Sequence, residues 1–369
     1  MRHQSTSAWP LALVYAVLVV YASLYPFGDW RDQGIMPWAF LAAPLPRYWT
    51  GFDVASNVLG YMPMGFLLAV SALRGPMAAS GKVALAMAAL VSAVLSLAME
   101  MLQSYLPMRV PSNVDLALNI GGALAGAIVA LALDATGVLD WWSRFRERWF
   151  VPQARGVLVL LALWPVALLF PAAVPFGLGQ VLERLEAALG ELLVDTPFLA
   201  WLPVRDVELQ PLVPGAELLC VLLGVLTPCL LGYSIIRTAG RRIILMLLVV
   251  GAGLAASALS AALSYGPVHA WVWFSVPVQV GVVAAMLLAL LLLPLTRRGC
   301  TALALLALGV SLSVLNQAPT SAYFAQTLQT WEQGRFIRFH GIVQWIGWLW
   351  PYVALVYALT LLSRRERET

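Results

Sequence analysis

Residues 111–135 read PSNVDLALNIGGALAGAIVALALDA, and no charged side chain falls between Asp115 and Asp134. A helix rises about 1.5 Å per residue and a hydrocarbon core is about 30 Å thick, so such a run is long enough to cross a bilayer. Inside lipid the backbone must satisfy its own polar groups, which selects a helix. The run at 113–133 is one of ten, the others lying near 8–27, 53–73, 83–102, 157–175, 215–236, 243–264, 271–295, 301–318 and 342–363. The sequence therefore predicts an all-α, polytopic integral membrane protein of about ten transmembrane helices.

Composition agrees with that reading. Of 369 residues 61% are hydrophobic and 11% charged, with mean hydropathy +0.84; soluble domains run at about 45–50% and about 25%. A soluble globular protein, a disordered chain and a collagen-like repeat are all excluded. Cys220, Cys229 and Cys300 sit in or beside apolar runs without C-x-x-C spacing, so packing is expected and neither a disulfide framework nor a zinc site. The first run, from Ala8 to Tyr25, exceeds the h-region of a signal peptide and has no A-x-A site after it, so an uncleaved span is expected.

The net charge of +4 comes from basic residues scattered in small groups between the apolar runs, a pattern of topology and not of nucleic-acid binding. With the N-terminus inside, 15 of the 22 basic residues fall on inner segments. The outer segments hold the other seven, namely Arg31, Arg47, Arg109, Arg184, Arg205, Arg335 and Arg338. The positive-inside rule then places both termini in the cytoplasm. The Ala, Leu and Arg excess, with Lys82 the single lysine, fits a GC-rich bacterial genome, and the spans then imply the bacterial cytoplasmic membrane.

Three parts follow: a four-helix domain over 1–135, an interfacial linker helix over 136–156, and a six-span domain over 157–369. The linker mixes Trp141, Trp142 and Trp149 with four arginines, which suits the inner membrane surface. In the outer segment 176–214, Leu178, Val181, Leu182, Leu185, Leu189 and Leu192 recur at helical spacing against Glu183, Arg184, Glu186 and Glu191, which predicts a surface amphipathic helix.

Polar residues inside apolar helices are costly and mark candidate sites. They crowd into spans two to four. Asp53 and Asn57 lie at i and i+4, Glu100 and Gln103 at i and i+3, and Asp115 and Asn119 again at i and i+4, with Arg109 in the short turn between spans three and four. Antiparallel hairpins bring these groups to one outer face, where they form a candidate substrate-binding pocket. Gly122 and Gly126 form a small-xxx-small pair for close helix packing. Structural readings compete: Asp53 and Asp115 also suit helix starts, and Asn57 and Asn119 suit interhelical hydrogen bonds. Glu100 opposes the dipole of its own helix, which leaves function or a buried pair with Arg109.

Asp53, Asn57, Pro63, Gly65, Glu100, Gln103, Arg109, Asp115, Asn119, Gly122 and Gly126 together resemble the pattern of the VanZ-like family of bacterial membrane proteins, over roughly residues 10–135. The family takes its name from an accessory protein associated with resistance to a glycopeptide antibiotic, so the resemblance implies a cell-envelope context and no particular reaction. The C-terminal spans lie outside the family pattern.

Two functions compete. One is binding of an amphiphilic envelope component at the outer leaflet, such as a lipid-linked or glycolipid precursor or a lipophilic glycopeptide, with Arg109 facing an anionic group. Envelope-biosynthesis proteins are the expected protein partners. The other is an enzyme acting on such a lipid, with Glu100 or Asp115 as general acid or base. No metal site or cofactor is expected: His269 and His340 lack a second ligand at helical spacing. Near the C-terminus, Trp345, Trp348 and Trp350 fit an aromatic belt, while Arg335 and Arg338 suit either that belt or a phosphate.

Overall fold

Each of the ten apolar runs carries an α-helix in the computed structural model, which describes residues 8–25, 27–45, 50–75, 79–152, 154–170, 172–201, 209, 212–319 and 337–363. In chain order the helices are α1 (Ala8–Leu24), α2 (Gly51–Arg74), α3 (Gly81–Gln103), α4 (Asn113–Ala135), α5 (Val138–Trp149), α6 (Arg155–Ala167), α7 (Leu182–Leu193), α8 (Pro214–Ile235), α9 (Ala239–Tyr265), α10 (Val276–Leu291), α11 (Arg297–Leu315) and α12 (Ile337–Ser363). No strand occurs among the described residues. Seven helices, α2, α3, α4, α8, α9, α11 and α12, are long and apolar enough to cross a membrane. The other three apolar helices, α1, α6 and α10, are shorter, at 17, 13 and 16 residues.

Two runs give shorter helices than their apolarity predicts. The run at 157–175 is helical only to Ala167. Beyond it the chain turns, with Phe176 at φ 61° and Gly179 at φ 90°, and buries Val174, Phe176 and Leu178. Protein covers this non-helical backbone, which an apolar sequence run permits as readily as a helix. The run at 271–295 starts its helix at Val276, with Pro277 in the first turn and Pro294 beyond the end. The amphipathic segment is likewise shorter than expected, Leu182–Leu193, because Leu178 is buried before the helix begins.

The chain forms two compact units, Met1–Arg146 and Glu147–Thr369. In the first, α2 and α4 pack backbone to backbone. A Cβ on Gly122 would strike the Val58 carbonyl, one on Gly126 the Met62 carbonyl, and one on Gly65 the Ala123 carbonyl. The small-xxx-small pair of α4 thus meets α2, which supplies a glycine of its own. Buried Ala84 and Ala88 of α3 share one apolar cluster with Ala127 and Ala130 of α4. Helix α1 lies against α2 and α3, tied by the Tyr15 hydroxyl donating to the Gly60 carbonyl at 2.8 Å. At the opposite end of the unit from Asp53, the Arg74 Nε donates to Asp134 at 2.8 Å and another guanidinium nitrogen bonds Asp140, which fixes the first turn of α5.

In the second unit α8 is the central helix. Its apolar window is 72% buried, against 28–39% for the other long helices, and α6, α9, α10 and α11 pack around it. Trp350 is buried and donates its indole N–H to the Leu160 carbonyl at 2.8 Å, so this residue joins α12 to α6 and is no part of an aromatic belt. The three cysteines are free and buried, as packing residues. Arg242 is buried as well. Its guanidinium donates to the carbonyls of Tyr233, Ile236, Leu293 and Leu295, at 3.0, 3.2, 2.6 and 2.8 Å. Those acceptors lie at the ends of α8 and α10, where helices run out of internal donors.

Candidate functional site

Each polar residue of the N-terminal cluster has a definable local task. Asp53 is exposed at the start of α2. Its carboxylate accepts from the Thr50 N–H at 2.9 Å and from the Thr50 hydroxyl at 2.8 Å, while the Thr50 oxygen accepts the Asp53 N–H, a complete capping box. Ser112 caps α4 in the same manner, its oxygen accepting from Val114 and Asp115.

Glu100 is buried at the end of α3. Its carboxylate accepts the backbone N–H of Ser112 at 2.8 Å. Within α3 the acid faces the negative end of its own dipole, but it also reaches the positive end of α4, which resolves the conflict that the sequence left open. The charges of Asp115 and Arg109 both act on it.

Gln103 and Arg109 turn toward α1. The Gln103 amide donates to the Ser23 carbonyl at 3.0 Å, and an Arg109 guanidinium nitrogen reaches the Tyr25 carbonyl at 2.8 Å and that of Ala22 at 3.4 Å. These are carbonyls at the C-terminal end of α1, where cationic donors are favoured. The task is helix capping from a neighbouring turn, which single-helix periodicity does not reveal.

Deeper in the unit, the Asn57 amide donates to Asp115 at 3.0 Å, and the Asn119 amide donates to the Ser96 hydroxyl at 2.9 Å. Asn57, Asp115 and Asn119 thus face neighbouring helices, while Asp53 stays at the exposed start of α2. Two buried oxygens, Asn119 Oδ1 and the Ser92 hydroxyl, have no hydrogen-bond partner among the described residues. Such groups are costly to leave unmet and call for an explanation. Ser92, Ser96 and Glu100 lie at i, i+4 and i+8, a buried polar stripe down one face of α3. The i, i+4, i+8 spacing of these serines with Glu100 is the sequence signal that marks them.

The loop before α2 lies across the α3–α4 turn. The Arg31 N–H donates to the Tyr105 carbonyl, Gln33 to the Ser104 carbonyl, and Asn113 to the Ala43 carbonyl. Around these bonds the loop exposes Trp30, Ile35, Met36, Trp38 and Leu41. The polar cluster thus sits beneath an apolar, aromatic-rich rim. No group of His, Cys, Asp and Glu that could hold a metal occurs among the described residues.

Residues 5–134 match the VanZ/LLP1 family. The match spans α1 to α4 and includes every residue of the polar cluster, while no family covers the rest of the chain. No curated protein and no solved structure matches this chain. The VanZ/LLP1 segment is thus a unit of membrane-type helices held by glycine contacts between α2 and α4, with its polar groups gathered at one end.

Proposed function

We propose that the VanZ/LLP1 segment binds an amphiphilic cell-envelope component, a lipid-linked or glycolipid precursor or a lipophilic glycopeptide, whose polar head enters the cluster at the outer leaflet. One observation carries this reading: Asn119 Oδ1 is buried without a donor one turn along α4 from Asp115, while the Asn119 amide bonds Ser96, itself one turn along α3 from Glu100. A site rich in unmet and anionic acceptors selects a head rich in O–H and N–H donors, such as a sugar or peptide amide. Arg109 is engaged on α1, so it frames the site, and the acceptors supply the recognition. The exposed aromatic and aliphatic side chains of the 27–45 loop provide the surface along which the acyl or prenyl part enters.

In this reading both termini are cytoplasmic and all ten apolar helices cross or enter the bacterial inner membrane, on the 15 to 7 distribution of basic residues. The Arg74, Asp134 and Asp140 end of the unit then faces the cytoplasm, with α5 along the membrane surface. Trp141 and Trp142, both exposed, point to lipid. An enzymatic variant would use Glu100 or Asp115, both carboxyls of the cluster, as general acid or base on the bound lipid.

The test is thermal stabilisation of the full chain in detergent by a short-chain glucosyl diacylglycerol, with the same diacylglycerol lacking the sugar as control. Wild type is stabilised by the glycolipid alone, and Asn119→Leu loses that response while remaining folded. Equal shifts with both lipids, or an unchanged response in Asn119→Leu, would remove the site.

A further inference from the structure

The C-terminal unit holds a cleft that the N-terminal reading does not use. Its walls are Ala167 at the end of α6, the chain beyond it at Phe170, Ala172 and Ala173, the turn Gly177–Gln180, and Gly347 with Trp348 on α12, and Arg184 of α7 closes one side. The cleft is shallow and part of it is open to solvent. The walls come close because side chains are missing. A Cβ on Gly179 would strike Leu312 and Pro351, the backbone there is at φ 90°, and a Cβ on Gly347 would press on the Ala167 carbonyl.

The cleft is rigidly built. Gly179 donates its N–H to the Gly347 carbonyl at 3.0 Å and accepts from the Tyr352 hydroxyl at 3.0 Å. Asn316 accepts the N–H groups of Val181 and Leu182, both at 3.1 Å, and so caps α7 and sets the direction in which Arg184 leaves it. Gln180 is spent on the Ala318 carbonyl at 2.8 Å.

Arg184 is the exception. Its guanidinium lies 4.9 Å from the centre of the Trp348 ring, a cation–π stack, and donates to no acceptor among the described residues. Desolvation holds its pKa below the ordinary arginine value, with the neighbouring Glu183 charge a smaller, opposing influence. A stacked guanidinium is held in a plane with its N–H fork free, the arrangement that receives a phosphate or carboxylate in two parallel bonds. Beside it, α7 exposes Leu182, Leu185 and Leu192 and buries no residue, and the chain after it exposes Phe198 and Trp201. An anion in the cleft would therefore have apolar surface next to it.

We propose that this cleft binds the phosphate of an anionic lipid headgroup, with Arg184 as its charged ligand, Trp348 as the platform that orients it, and α7 lying along the acyl region of the interface. The site is independent of the Glu100 and Asn119 cluster.

The experiment uses the full chain in detergent, with native mass spectrometry reading the occupancy of dioctanoyl phosphatidylglycerol. Dioctanoylglycerol, with the same tails and no phosphate, and inorganic phosphate alone are the comparison probes. Wild type binds phosphatidylglycerol in preference to both. Arg184→Gln weakens it about tenfold or more, the scale of a lost charge-assisted pair. Trp348→Leu weakens it less and Trp348→Phe retains it, while Glu191→Gln, an exposed change on the same helix, leaves it unaltered. Equal binding of dioctanoylglycerol, or equal binding by Arg184→Gln, would overturn the site. Competition by inorganic phosphate at matching concentration would overturn its assignment to a lipid. Asn119→Leu leaves this binding intact, so failure here and failure of the N-terminal site are distinguishable.

Discussion

The Glu100 carboxylate accepts the Ser112 N–H at 2.8 Å, so a buried acid at the end of α3 completes the first turn of α4. This bond gives Glu100 a structural role separable from the binding role proposed for it. Glu100→Gln keeps a carbonyl acceptor for Ser112 and should cost less than about 1 kcal/mol, whereas Glu100→Ala leaves the N–H unmet and should cost about 1–3 kcal/mol. Reversible unfolding in mixed micelles reads the difference. Equal losses in the two variants would mean that charge, and not the hydrogen bond, holds the turn.

Neighbouring glycines on α4 should behave oppositely. Gly121 has open space around a would-be Cβ, while at Gly122 the same atom would overlap the Val58 carbonyl. Gly121→Ala is expected to be neutral or to stabilise by up to about 1 kcal/mol through helix propensity. Gly122→Ala must push α2 and α4 apart and is expected to cost at least the roughly 1–3 kcal/mol of overpacking. Thermal unfolding of the two variants side by side checks this, and similar midpoints would contradict the backbone contact.

Arg242 supplies donors to four carbonyls at the ends of α8 and α10. Arg242→Met should destabilise the C-terminal unit by about 2 kcal/mol or more, since several acceptors lose their donor at once. Arg242→Lys should recover only part, because an ammonium cannot reproduce the planar fork. Limited proteolysis between α8 and α9 gives the readout, and wild-type resistance in Arg242→Met would exclude the role.

The attachment of α5 should depend on pH in one direction. The Arg74 guanidinium holds the Asp140 carboxyl below the ordinary aspartate range. A carboxyl whose pKa is lower folded than unfolded contributes fully above about pH 4 and loses that contribution as pH falls through its folded value. Hydrogen exchange of the amides in 138–146, corrected for intrinsic rate, should therefore accelerate on acidification below pH 4. In Arg74→Gln the acceleration should already be present at neutral pH. Protection that is flat with pH in wild type would count against the pair.

The sequence located the helices well because spanning helices are written as uninterrupted apolar runs. It overestimated the two that end at proline-bounded turns near Pro175 and Pro277, since an apolar turn covered by protein reads the same as an apolar helix. The polar cluster was legible as a set of positions, and Asn57 with Asp115 does form across helices. What could not be read was direction. Arg109 and Gln103 point to the end of α1, far away in sequence, and Glu100 points to the next helix start. Such partners depend on which helix ends meet, a property of packing and not of spacing. Arg184 and Trp348 show the same limit, because a stack between residues 164 apart in the chain leaves no local signature.

The most direct test of the central claim is the identity of the lipids that copurify with the chain from bacterial membranes, compared by native mass spectrometry among wild type, Glu100→Gln and Arg184→Gln. The account predicts that wild type retains a species with a sugar- or peptide-bearing head, that Glu100→Gln loses it while staying folded, and that Arg184→Gln keeps it. The same lipid profile in wild type and Glu100→Gln would contradict the account and reduce the polar cluster to a means of joining helix ends.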